Sequence, residues 1–216
     1  MLAAYLDEPN ARDPLQALKI GQIAEPTAPS GWLRVRMQAA SLNRHDLWTL
    51  RGITQHAPLP LPMILGCDGA GLLEDGTPVV LYPGMADADW HAEETLDPQF
   101  NVFSERHPGT MAEIVFAPKR CLIPRPPQLS AIRAAALGTT WLTAYKMLFS
   151  RAGLRPGQSM LVQGASGGVS TALIQLGKAA GMQVWVTGRD AEKRALAERL
   201  GAHLALEPGS PLPHPG

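Results

Sequence analysis

Apolar and polar residues alternate along "WLRVRMQAA" (32–40) and put Leu33, Val35, Met37 and Ala39 on one face, the pattern of a half-buried strand. "TPVVLY" (77–82) and "TMAEIVFAP" (110–118) are two further strand candidates, and proline and glycine punctuate most of the remaining residues before Pro127. "APLPLP" (57–62) reads as a loop, and the polar run 86–109, with little periodicity, reads as a surface loop. The texture then changes. Residues 129–154 take on alanine-rich helical spacing and predict two short helices, with Ser130 as N-cap, a break at Gly138 and an end near Gly153.

The densest pattern is "SMLVQGASGGVSTALIQLGKAAGMQVWVTGR" (159–189): an apolar strand, a glycine turn, an amphipathic helix ending at Gly181, and a second apolar strand. "DAEKRALAERLGAHLAL" adds a helix and the start of a third strand, followed by a Pro/Gly tail, "EPGSPLPHPG". A right-handed β-α-β-α-β order makes a parallel sheet. The expected class is α/β, with a mostly β domain over 1–126 and a partial, doubly wound parallel domain over 127–216.

Composition narrows the partners. Of the 216 residues 45% are hydrophobic and 18% charged, an ordinary globular balance, and nineteen basic residues cancel nineteen acidic ones. That offers no overall charge for nucleic acid or an anionic membrane. With only Cys67 and Cys121, neither a disulfide framework nor an all-cysteine zinc site is available. No secretory or spanning apolar run is present, so the expected setting is a reducing cytoplasm.

In "VQGASGGVS", Gly164 and Gly167 stand at G-x-x-G spacing with Ser170 where a third glycine would follow. The first glycine permits a sharp strand-to-helix turn, and Ala165, Ser166, Gly167, Gly168 and Val169 bring backbone N–H groups toward a pyrophosphate at a helix N-terminus. The other reading is a turn used only for tight packing. The second strand ends at Thr187, Gly188 and Arg189, with Lys193 and Arg194 one turn on. Three cations and no carboxylate at the tip favour the 2′-phosphate of NADP(H) over the ribose hydroxyl of NAD(H). Asp190 either supplies the missing acid or caps the next helix.

With "AASLNRHDLWTLRG" (39–52), "PMILGCDGAG" (62–71), "GTMAEIVFAP" (109–118), "ALGTTWLTAY" (136–145) and the glycine-turn segment (161–202), the chain resembles the medium-chain dehydrogenase/reductase superfamily up to about residue 207. That superfamily includes zinc-dependent alcohol dehydrogenases and zinc-free, NADPH-dependent quinone oxidoreductases. The resemblance implies a GroES-like catalytic domain followed by a partial Rossmann cofactor domain. Its catalytic zinc ligands fall at Asn43, at Cys67 in the pair Cys67–Asp68, and at Thr139, so one good donor survives and no catalytic zinc is expected. A rearranged site from His45, Asp46, Cys67 and Asp68 would need new geometry. Cys67 otherwise reads as a small, partly buried residue.

By the same resemblance, the reaction is hydride transfer from NADP(H) to a quinone, enone or carbonyl of a small-molecule substrate. Asn43 would donate to the substrate carbonyl and His45 would supply a proton, although a hydrogen-bonded loop histidine is the alternative. Arg44 matches a pyrophosphate contact, or is a surface arginine. Asp46 would orient local backbone. Thr139 and Thr143 would lie near the nicotinamide, or are helix-end hydroxyls. Trp48 and Trp141 would wall a pocket or sit in the core. Relatives run past 300 residues, so a C-terminally truncated cofactor sheet is expected, with an open edge that invites homo-oligomers. The rival readings are a non-catalytic nucleotide-binding or interaction fragment and a zinc-dependent alcohol dehydrogenase.

Overall fold

A computed structural model describes residues 1–55, 58–87 and 89–212; the opening alanine of "APLPLP", one position of the 86–109 run and the last four residues of the tail lie outside the described residues. The chain forms two units, Met1–Thr139 and Thr140–Gly216. In the first, the strands are β1 (Leu2–Leu6), β2 (Lys19–Gln22), β3 (Trp32–Ala40), β4 (Met63–Ile64), β5 (Gly69–Leu73), β6 (Pro78–Leu81), β7 (Gly84–Met85), β8 (Asn101–Val102), β9 (Ile114–Pro118) and β10 (Leu122–Pro124). Its α-helices are α1 (Arg44–Leu50) and α2 (Ala131–Ala135). All strand pairings are antiparallel, in a five-stranded sheet ordered β10-β6-β5-β3-β9, a three-stranded sheet ordered β2-β1-β4, and the pair β7-β8.

The alternation in β3 works as the pattern predicts, but only in its middle. Val35 is fully buried against Val79, Leu81, Val115 and Phe103, with Met37 packed beside them, while Leu33 remains 39% exposed. Strand β9 begins at Ile114, later than the run "TMAEIVFAP", because Thr110 and Met111 bond elsewhere: their N–H groups donate to Gly66 and Leu65. The polar run 86–109 is not simply a surface loop. It contains β8, and it buries Asn101, Phe103, Ser104 and Glu105. Phe103, fully buried in the core cluster of the sheet, anchors this largely polar segment there. Helix α2 starts at the expected cap, with Ser130 Oγ accepting from Arg133 N at 3.4 Å, and packs on β3, β5 and β6.

The second unit begins within a helical run whose central turn is α3 (Leu142–Tyr145), flanked by wider π-type turns over Leu137–Trp141 and Lys146–Arg151. Then follow β11 (Ser159–Gln163), α4 (Gly168–Ala179), β12 (Gln183–Thr187), α5 (Ala191–Leu200) and β13 (Leu204–Leu206). The sheet is parallel in the order β11-β12-β13, with Val162 opposite Val186 and Val186 opposite Ala205. Helix α4 lays Ala172, Leu173, Ile174 and Gly177 on the core shared with Met160, Val162, Val184 and Val186. Burying each large aliphatic side chain contributes about 1.5–3 kcal/mol. Among the described residues, no helix is long and apolar enough to cross a membrane.

Gly177 sets how closely α4 approaches the sheet. A Cβ there would lie 2.7 Å from Met160 Sδ and 2.9 Å from Val184 Cγ2. Gly177→Val is therefore expected to destabilise this unit by about 1–3 kcal/mol. Urea unfolding followed by circular dichroism checks this, and an unchanged midpoint would contradict the packing described.

Candidate functional site

In the first unit two polar groups gather around the adjacent residues Cys67 and Asp68. Asp68 is fully buried. Its Oδ2 accepts from Ser41 Oγ at 2.9 Å and from Asn43 Nδ2 at 3.0 Å, and its Oδ1 accepts from Thr139 Oγ1. Its backbone carbonyl accepts from Thr110 Oγ1 at 2.6 Å. Three side-chain donors thus replace the water that a buried carboxylate has lost. Asn43 also donates to Ser41 Oγ, at the longer distance of 3.3 Å.

The second group is organised by α1. Asn43 N donates to Asp46 Oδ2 at 2.7 Å, and Gly66 N donates to Asp46 Oδ1 at 3.1 Å, so Asp46 orients local backbone as the sequence predicts. Burial pushes the Asp46 carboxyl above its ordinary value, against the pull of these two N–H groups. One turn of helix places His45 and Thr49 together. His45 Nε2 lies 3.0 Å from Glu105 Oε1, and Nδ1 lies 3.1 Å from Cys67 Sγ and 3.4 Å from Thr49 Oγ1. A carboxylate can only accept, so Nε2 carries the proton; in the neutral ring Nδ1 then accepts from the Cys67 thiol. Burial, and after it the carboxylates of Asp46, Asp68 and Glu105, hold that thiol well above its ordinary range. A free nucleophilic thiolate is not what this environment favours.

In the second unit the glycine turn joins β11 to α4. Gly164 has φ +101°, a left-handed conformation suited to glycine, and its N–H donates to Thr187 O at 2.9 Å. Ser166, Gly167 and Gly168 are exposed, Ala165 is buried, and Val169 packs on the core. Helix α4 begins with Gly167 as its N-cap and no side chain covering the first amides. A Cβ on Gly168 would come 2.8 Å from Thr140 Cγ2, and one on Gly188 would come 2.7 Å from Ala165 Cβ. The turn and the end of β12 are thus in close contact.

At the tip of β12, Asp190 Oδ1 accepts from Lys193 N at 3.0 Å and caps α5, which is the capping reading of Asp190. Arg194 donates to Gly188 O at 2.6 Å and to Glu207 at 2.9 Å. Of the three cations expected at this tip, Arg189 and Lys193 remain exposed.

Asn43 and Thr139 therefore meet on Asp68, while His45 joins a different group with both ring nitrogens engaged. His45 stands on a helix, not a loop. Gly164, Ala165, Ser166, Gly167, Gly168, Val169 and Gly188 collect at one turn; Arg44 and Thr143 are exposed on α1 and α3. Trp48 is 44% exposed and so is not core, whereas Trp141 packs on the second unit's core. Sequence reasoning missed Ser41, Thr140 and Glu105. Phe103, the apolar residue two positions before Glu105, was the available signal.

A model of the alcohol dehydrogenase GroES-like domain matches residues 29–127. Crotonyl-CoA reductase of Streptomyces avermitilis is 27% identical over 229 residues, covering 91% of this chain and 51% of that protein. A solved NAD-dependent alcohol dehydrogenase superposes with a TM-score of 0.88 at 34% identity, covering 98% of this chain and 64% of that one. The chain belongs to the medium-chain dehydrogenase/reductase superfamily. A second solved member, the quinone oxidoreductase of Thermus thermophilus, determined also in complex with NADPH, gives a TM-score of 0.73 at 31% identity and covers 96% and 60% of the two chains. The chain thus spans about half the length of the crotonyl-CoA reductase it matches.

The superfamily's catalytic zinc position can be tested against these residues. An amide at Asn43 and a hydroxyl at Thr139 are weak donors to zinc, and both already donate to Asp68. This donor set does not fit a catalytic zinc.

Both thiols are buried, and burial pushes Cys121 up to about 11. At neutral pH the folded chain is expected to leave both cysteines unreacted toward a disulfide reagent, with both reacting once guanidinium unfolds it. A thiol count on native and unfolded protein checks this; rapid native labelling would contradict it.

Proposed function

We propose that the chain is the catalytic and cofactor-binding part of an NADP(H)-dependent oxidoreductase of the medium-chain type, transferring hydride to a quinone, enone or carbonyl without catalytic zinc. The observation that carries this reading is the bare start of α4, where Gly167 and Gly168 leave backbone N–H groups open and no side chain caps them. Such an end attracts a dinucleotide's pyrophosphate through its open donors and the helix dipole. Gly164 supplies the left-handed turn into the helix, Gly167 and Gly168 are exposed at its start, and Ala165, Ser166 and Val169 complete the turn.

The similar proteins themselves divide between NAD and NADPH, so the choice rests on the tip of β12. Asp190 is engaged as a helix cap, Arg189 follows Gly188 in the chain and is exposed, and Lys193 is exposed on the first turn of α5. Two exposed cations, with Asp190 engaged as a cap, favour a 2′-phosphate. When bound, the nicotinamide supplies the hydride; the protein's part is to hold and orient it.

On the substrate side, the proposal gives Asn43 the role of donor to the reacting carbonyl. Its amide bond to Ser41, the longer of its two at 3.3 Å, is the one a substrate oxygen replaces, while Asp68 keeps the amide in place. Thr139, fixed to the same carboxylate, rigidifies the group. The N-terminal domain then carries carbonyl recognition and the C-terminal domain the cofactor. Thr143, exposed on α3, retains its assignment near the nicotinamide by resemblance.

Calorimetric titration of the chain with NADPH and NADH tests the cofactor half. NADPH is expected to bind more tightly, and Arg189→Ala should weaken NADPH by roughly tenfold to a hundredfold, the value of a charged hydrogen bond, with NADH little changed. Equal losses for both cofactors would refute the 2′-phosphate role, and no binding of either would refute the cofactor reading.

A further inference from the structure

Every charged residue that is buried among the described residues is an acid: Asp46, Asp68, Asp97 and Glu105. Buried charges are normally paired or bound to a metal. Asp68 has its three donors. Glu105 does not have enough: its side chain is 5% exposed, Oε1 meets His45 Nε2, and Oε2 has no hydrogen-bond partner. Asp46, Glu105 and the Cys67 sulfur thus surround His45 with acceptor atoms and no buried lysine or arginine.

We propose that His45, Asp46 and Cys67 bind one borderline divalent transition-metal ion of the zinc or cobalt type, with Glu105 orienting the imidazole from outside. The donor atoms of the three side chains lie within 4.8 Å of one another, and Nδ1 and Sγ are 3.1 Å apart. A four-coordinate ion with bonds of about 2.0–2.3 Å holds its ligand atoms roughly 3.5 Å apart, so small side-chain shifts suffice. Nδ1 faces the sulfur while Nε2–H donates to Glu105. That is the carboxylate–histidine–metal arrangement in which the outer carboxylate fixes the tautomer and strengthens the ligand. The mixed S, N, O set suits a borderline ion over calcium or magnesium. Binding displaces the thiol proton to solvent.

This site is not the superfamily's zinc position. It shares Cys67 with that position, but Asn43 and Thr139 are tied to Asp68 and take no part. The ion would fasten α1 to the segment between β4 and β5, a structural role. The site lies wholly in the first unit, so it stands whether or not the second binds a dinucleotide.

Cobalt(II) titration of the reduced, metal-free, full 216-residue chain is the test. The expected result is one equivalent bound, with an intense near-ultraviolet thiolate-to-cobalt band. The band should vanish in Cys67→Ser and persist in Cys121→Ser. Glu105→Gln should keep the band and weaken binding about tenfold to a hundredfold. If Cys67→Ser fails to fold, Cys121→Ser decides alone, because Cys67 is then the only thiol. A folded wild-type chain without the band, or a band lost in a folded Cys121→Ser, would overturn the proposal.

Discussion

The first amides of a helix stay bare only when the turn before it offers no side chain to cover them. The turn from β11 to α4 meets that condition through small residues: Gly164 in a left-handed conformation, Gly167 at the N-cap, Gly168 opening the helix. Neighbouring elements enforce it. Thr140 leaves no room for a side chain on Gly168, Ala165 leaves none on Gly188, and Gly177 lets α4 sit close on Met160 and Val184. The parallel sheet of this unit and its open helix end are therefore one construction. A bulkier residue at any of these points would push the helix away from the strands or cover the amides.

The first unit solves a different problem, that of acids without water. Asp68 is satisfied by Ser41, Asn43 and Thr139, which draws the end of β3, the start of α1 and the chain beyond α2 to one carboxylate. Asp46 is satisfied by two backbone N–H groups. Glu105 reaches only His45 and leaves one oxygen unmatched. This imbalance separates the two polar groups: one is closed and rigid, the other electron-rich and lacking a cation. An unpaired buried oxygen costs about 1–3 kcal/mol, which the packing around Phe103 offsets.

The regular parts were legible because each is local. β3 announces itself by alternation, α2 by Ser130, and the β11-α4-β12 unit by glycine between apolar runs. The capping role of Asp190 was legible as one of two readings, and the helix that follows it decided between them. The partners of His45 were not legible. Glu105 lies far along the chain in a polar run that folds inward around Phe103, and nothing near His45 in sequence announces it. Cys67 was legible as the one good donor left at the zinc positions, but its pairing with His45 on α1 depends on how the segment after β4 turns. Local patterns carry elements; long-range polar contacts arise only when those elements pack.

In the proposed function the bare end of α4 is a phosphate cradle. The direct measurement is amide NMR of isotope-labelled protein titrated with NADPH. The amides of Ser166, Gly167, Gly168 and Val169 are predicted to shift together and saturate at one equivalent. Saturable shifts confined to other segments, with these amides unmoved, would contradict it.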